Sequence, residues 1–254
     1  MFPLYDDNPT EIFPIITLLL MGACVGAWIY LQGAGLSQEA LMGSVCGLGT
    51  IPAEITGTWT GELPARGESP CRLGGLTWQT LFTSMFLHGG WMHLIGNLWF
   101  LWIFGNNIED SMGHLRFLAF YLLTGLVATG SHIAAEPSSV LPMVGASGAI
   151  SAIMGAYLVL YPRTRVYTLF IIIIIIRVFP IPAWFFLGYW FFLQVASSSI
   201  QAGAGGGGVA FWAHIGGFVA GLALVKVFQN RILVDAKRSG VRLERGQIRH
   251  GGWW

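Results

Sequence analysis

The chain alternates between long apolar blocks and short polar ones. Uncharged or nearly uncharged runs long enough to span a bilayer, which takes about 20 residues, fall at roughly 12 to 33, 91 to 108, 117 to 135, 140 to 161, 178 to 200 and 209 to 228. The pattern predicts an all-α membrane protein, a bundle of six transmembrane helices with a long outer loop between helices one and two. Residues 1 to 11 read as a cytoplasmic N-terminus, 12 to 228 as the helical domain and 229 to 254 as a basic cytoplasmic tail.

Two stretches depart from plain helix. Between Arg165 and Arg177 an apolar run with six consecutive isoleucines is too short to span, and its β-branched residues disfavour helix over strand. It is expected to be an interfacial or partly embedded connector. The stretch Ser197 to Gly208, dense in glycine, is expected to be a flexible outer loop.

Composition agrees with the pattern. Of 254 residues, 54% are hydrophobic and 10% charged, and the mean hydropathy is +0.65. That is too apolar for a soluble domain. Of thirteen basic residues, only Arg66 and Arg72 lie in the long first loop; the other eleven fall on the side of both termini if there are six spans. The positive-inside bias then makes both termini cytoplasmic and the first loop external. The acidic opening from Met1 to Glu11 lacks the basic flank of a cleaved signal. A bacterial inner membrane is the expected location. A net charge of +1 without basic and aromatic interleaving argues against nucleic acid as a partner. Cys24 reads as a small core hydrophobe. Cys46 and Cys71 share the outer loop and can pair in an oxidising compartment, a link worth about 3 kcal/mol of loop-closure entropy.

The candidate chemistry sits inside the apolar blocks. Gly145-Ala146-Ser147-Gly148 leaves a hydroxyl sterically open, although such small residues often serve packing alone. His93 and Asn97, four apart, share a helix face. His214 lies on the sixth helix above Gly217 and Gly221, whose spacing permits close backbone contact. Counting ~1.5 Å per residue from the cytoplasmic ends places Ser147 at ~21 Å and His214 and Asn97 at ~18 Å, one common level. A serine needs a base within hydrogen-bond reach, and histidine is the usual one. Every acidic residue lies in a loop, a terminus or a helix end, so a Ser147–His214 dyad is expected rather than a triad. His93, Asn97 and the Ser147 backbone N–H are candidate oxyanion donors. The reading calls for no metal and no cofactor.

These residues resemble the motifs of the rhomboid family of intramembrane serine proteases. Gly145-Ala146-Ser147-Gly148, the set His88, His93 and Asn97, and the glycine-rich His214 helix carry the resemblance, over about residues 78 to 228. It implies a rhomboid-like six-helix fold, embedded in lipid, that cleaves single-pass membrane proteins in or beside their transmembrane helices. Ser147 would be nucleophile, His214 base, and His93 and Asn97 oxyanion donors, with His88, Gly145, Gly148, Gly217 and Gly221 shaping the site. The fifth helix would gate it through Trp184, Phe185, Trp190 and Phe191. Some relatives carry a tyrosine four residues after the nucleophile, on which the base stacks. Here that position is Ser151, so His214 must be held otherwise. A silent relative that binds membrane proteins, or a small channel or transporter using buried His and Asn, are the alternatives.

Overall fold

The computed structural model describes residues 2–58, 71, 78–172, 175–204 and 210–239. Strand β1 (Phe2–Asp6) precedes α1 (Ile15–Tyr30), and the outer segment holds α2 (Gln38–Leu48), α3 (Pro52–Thr56) and α4 (Thr80–Thr83). Helix α5 (Trp91–Phe100) runs through a π-helical stretch, Leu101–Gly105, into α6 (Asn106–Met112). Then come α7 (His114–Ala135), α8 (Ser147–Leu160), the hairpin β2 (Arg165–Ile172) and β3 (Ile175–Pro182), α9 (Ala183–Ala204), α10 (Phe211–Phe228) and α11 (Arg231–Ser239).

Helix α8 is the axis of the bundle. Every residue from Gly148 to Tyr157 is buried, as befits a helix apolar all round. Helix α10 meets it backbone to backbone. A Cβ at Gly217 would overlap the Gly148 carbonyl oxygen, one at Gly221 that of Ala152, and one at Gly155 that of Phe218. Helix α7 closes the other side, with Ala128 against Gly148. Large apolar side chains such as Leu19, Leu123, Trp184, Phe192 and Val219 point outward, which suits a coat of lipid rather than water. Helices α7 and α10 are each long and apolar enough to cross a membrane, while α1 and α8 are shorter apolar helices.

Several boundaries differ from the sequence pattern. The fold is not purely helical, because β1, β2 and β3 form an antiparallel sheet in that order. Phe2 pairs with Leu169, and β2 and β3 pair from Arg165 with Pro182 to Ile172 with Ile175. The N-terminal segment and the isoleucine-rich connector are thus one sheet, and the fifth helix begins at Ala183 instead of 178. The reason is local: β-branched residues favour the pleated backbone, and Pro180 and Pro182 have no N–H for a helix but are tolerated on edge strand β3. The fourth helix starts at Ser147 rather than 140, because Met143 exchanges backbone hydrogen bonds with Thr50 at 3.0 and 2.7 Å and Gly145 takes a φ of +132°. The second helix runs on to Met112 before Gly113, at φ +79°, breaks it. Helix α9 continues to Ala204, past the expected start of the outer loop, and the glycines at 205 to 208 fall outside the described residues. The tail folds back as α11 as far as Ser239, and 240–254 are likewise outside. Cys46 and Cys71 are disulfide-bonded, tying α2 to the outer segment, and Cys24 is buried and free.

The end of the bundle at α6 and α11 is fastened by buried polar groups. The Glu109 carboxylate caps α1, accepting from the backbone N–H of Ile16 and Thr17 at 2.9 and 2.8 Å and from the Thr17 hydroxyl at 2.7 Å. Lys237 of α11 donates to Asp110 at 2.8 Å and to Asn107 at 2.9 Å. Asp6 of β1 accepts from the hydroxyl of Tyr157 and from the Asn107 amide. Burial nevertheless lifts its carboxyl to about 6, outweighing those hydrogen bonds, which favour the ionised form.

Candidate active site

Three local choices place Ser147. Gly145 adopts a backbone that L-residues rarely take, the chain turns, and Ser147 becomes the first residue of α8. The Ser147 carbonyl is held from the next turn by the Ser151 hydroxyl at 2.6 Å. Its own N–H, in the first turn, has no partner within the helix and forms part of the positive end of the helix dipole.

His214 lies in the first turn of α10, and the Gly217 and Gly221 contacts bring that helix within backbone distance of α8. Its Nε2 lies 2.7 Å from the Ser147 Oγ. Its Nδ1 lies 2.8 Å from Oε1 of Gln194 on α9. A carbonyl oxygen can only accept, so Nδ1 carries the proton in the neutral ring and Nε2 offers its lone pair to the serine. That is the protonation state a general base needs.

His93 sits opposite. Its Nδ1 accepts from the Gly89 N–H at 3.2 Å, which leaves the neutral ring's proton on Nε2. A Cβ at Gly145 would lie 2.8 Å from that Nε2, so only glycine lets the ring approach the nucleophile's turn. Asn97, almost fully buried, donates to the His93 carbonyl at 3.0 Å and lines the same space as Ser147 and His214. His88 lies one layer back, edge-on to His93 at 5.1 Å between ring centres. Its loop is locked by Gln32, whose amide donates to the His88 carbonyl at 2.7 Å and accepts from the His88 N–H at 2.9 Å.

A cavity of about 570 Å³ reaches Ser147, His214 and His93 between Gly89, Thr129 and Val144. A second, of about 210 Å³, lies on the other side of the pair, bounded by Asn97, Phe100, Trp190 and Gln194. Of the four aromatic residues singled out on the fifth helix, Trp190 lines this second cavity, 6.0 Å from the His214 ring, and Phe191 stacks on Phe218 at 4.6 Å. Trp184 and Phe185 pack on each other at the inner end and face outward. His132, in the last turn of α7, is buried. Among the described residues no cluster of His, Cys, Asp or Glu is arranged to hold a metal ion.

Sequence reasoning missed Gln194 and Gln32. Gln194 carried a signal, being the one amide in an otherwise apolar and aromatic run from Ala183 to Ala196, and an intramembrane polar side chain rarely stands there without a partner.

A serine hydroxyl bonded to an imidazole, sunk in an apolar helical bundle, is an arrangement that can activate the hydroxyl as a nucleophile. The rhomboid domain family matches residues 75–231, more than half of the chain, and the chain belongs to the rhomboid family and is a membrane protein. It is similar to the rhomboid protease GluP of Bacillus subtilis, 38% identical over 153 residues, covering 58% of this chain and 26% of that protein. It also resembles the rhomboid-like protease 5 of Toxoplasma gondii, at 34% identity over 55% of this chain and 15% of that protein. Rhomboid protein 1, mitochondrial, of Saccharomyces cerevisiae is 27% identical over 56% of this chain and 40% of its own length. The chain thus spans less than half the length of each of these relatives.

Proposed function

We propose that this chain is an intramembrane serine endopeptidase that hydrolyses peptide bonds in or next to the transmembrane helices of single-pass membrane proteins. The observation that carries the reading is the 2.7 Å contact between Ser147 Oγ and His214 Nε2 within a cavity. Ser147 Oγ attacks the scissile carbonyl carbon as its proton passes to His214 Nε2. The carbonyl π electrons move onto oxygen, where the Nε2–H of His93, the Asn97 amide and the Ser147 N–H stabilise the charge. Collapse breaks the C–N bond, and the amine leaves with the proton from His214. Water then repeats the sequence on the acyl-enzyme and frees Ser147.

Six spans fit this reading: α1, the continuous α5–α6, α7, α8, α9 and α10. The orientation, with both ends of the six-span unit on the inner side and the site opening outward, rests on the distribution of basic residues, as does a bacterial inner membrane. The names of the relatives, several of them proteases, support the activity. The test is cleavage of a labelled single-pass substrate by purified protein in detergent. Ser147→Ala and His214→Ala are each expected to lose at least about 10³-fold in kcat, an oxyanion site alone leaving a small residue of activity. Equal cleavage by wild type and both variants would leave a silent binder or a polar channel as the remaining readings.

A further inference from the structure

We infer that Gln194 is the positioning residue for the base, and that through it helix α9 decides whether His214 can accept the serine proton. The inference rests on the protease reading and goes beyond it. Among the described residues no carboxylate reaches the imidazole, and Ser151 stands where a stacking ring would be needed, so the ring requires another constraint. Gln194 supplies one at 2.8 Å, and an acceptor at Nδ1 excludes the tautomer whose Nε2–H would face Ser147. A neutral amide orients the ring without adding a buried charge.

The same contact is mechanical. The inner end of α9 is tied to the chain after α8 by two backbone bonds, Ala183 N–H to the Thr164 carbonyl at 2.8 Å and Trp184 N–H to the Pro162 carbonyl at 2.9 Å. Toward the outer end, Ser198 and Ser199 bond only to the Val195 carbonyl within α9 itself. Among the described residues, Gln194 to His214 is the one side-chain hydrogen bond from α9 to another helix. Outward movement of α9 therefore removes the Nδ1 acceptor, while Ser147 and His214, on the glycine-packed pair α8 and α10, stay together.

Two variants of the full chain separate positioning from packing. Gln194→Met keeps length and volume without a strong acceptor, and Gln194→Glu keeps both the shape and an acceptor. Against a single-pass substrate, Gln194→Met is expected to lower kcat by about 10- to 100-fold with KM within twofold, a part of the roughly 10²- to 10⁴-fold that a positioned general base supplies. Gln194→Glu is expected to recover most of that loss. Nitrogen-15 spectra of the His214 ring are expected to show the Nδ1–H tautomer in the wild type and a mixture in Gln194→Met. An unchanged kcat and tautomer in Gln194→Met would overturn the proposal, as would equal losses in both variants with raised KM. If Gln194→Met does not purify folded, Gln194→Asn withdraws the acceptor by about one methylene and is read by the same criteria. Failure of a fluorophosphonate to label Ser147 in the wild type is a different result: it removes the protease reading itself, and the inference with it.

Discussion

Helix α10 has two neighbours that serve the site in opposite ways. Against α8 it packs with glycine facing carbonyl oxygen at three levels, Gly155, Gly217 and Gly221, leaving no room for a methyl group. Against α9 the contacts are sparser and made by side chains, Trp190, Phe191 and Gln194, and much of α9 is bare on its outer face. Ser147 and His214 belong to the first interface, where a shift of one helix meets backbone. Gln194, which bonds His214, belongs to the second, where rotamers can adjust. Rigidity is thus spent on the reacting distance and compliance is kept for the ring's support.

That contrast can be broken most severely at the tight interface. Gly217→Leu or Gly221→Leu forces the side chain into a carbonyl, and each is expected to cost more than about 3 kcal/mol and to abolish accumulation of folded protein, read by size-exclusion in detergent and by thermal scan. At the loose interface the same kind of insult is mild. Phe191→Ala loses one stacked ring pair, worth about 1 kcal/mol, and is expected to lower the melting temperature by a few degrees while Ser147 still reacts with a fluorophosphonate. A melting loss as large as that of the glycine variants would erase the distinction.

A pH-dependent effect concerns the polar anchor, where Asp6 pins the sheet that feeds α9. Its carboxyl lies at about 6 in the fold, above its ordinary 3.8, so the stability it contributes is full below that lower value and is lost as pH rises through about 6. Asp6→Asn is expected to remove this component. The stability of wild type relative to the variant should fall by up to about 3 kcal/mol between pH 4 and 7, measured as paired melting curves in detergent. Parallel curves across that range would show that Asp6 titrates normally.

Much of the site was legible because its residues advertise themselves. Ser147 between glycines, His214 above Gly217 and Gly221, and His93 four residues from Asn97 are polar groups in runs that otherwise suit lipid, and their common depth follows from helical rise alone. Gln194 gave no comparable pattern, since its partner is twenty positions away on another helix and nothing in the spacing joins them. The sheet was half visible: the isoleucines argued against helix, but the pairing of Phe2 with Leu169 is a contact across most of the domain that no local preference encodes. The start of α8 was misplaced because apolar composition continues smoothly from Val140 through the bridge of Met143 to Thr50, where hydrogen bonding, not hydropathy, decides the backbone.

The two backbone ties at Ala183 and Trp184 make α9 a lever with its fulcrum at its first turn. Gln194 stands eleven residues up, ~16 Å along the arm, so a tilt of about 10° carries it about 3 Å sideways. That is enough to part a hydrogen bond, yet far short of the ~10 Å needed to pass another helix. On the protease reading proposed above, the imidazole would be released early in any swing wide enough to admit a guest chain and set again only as the arm returns, so peptide bonds near a door still ajar would meet a base not yet aimed.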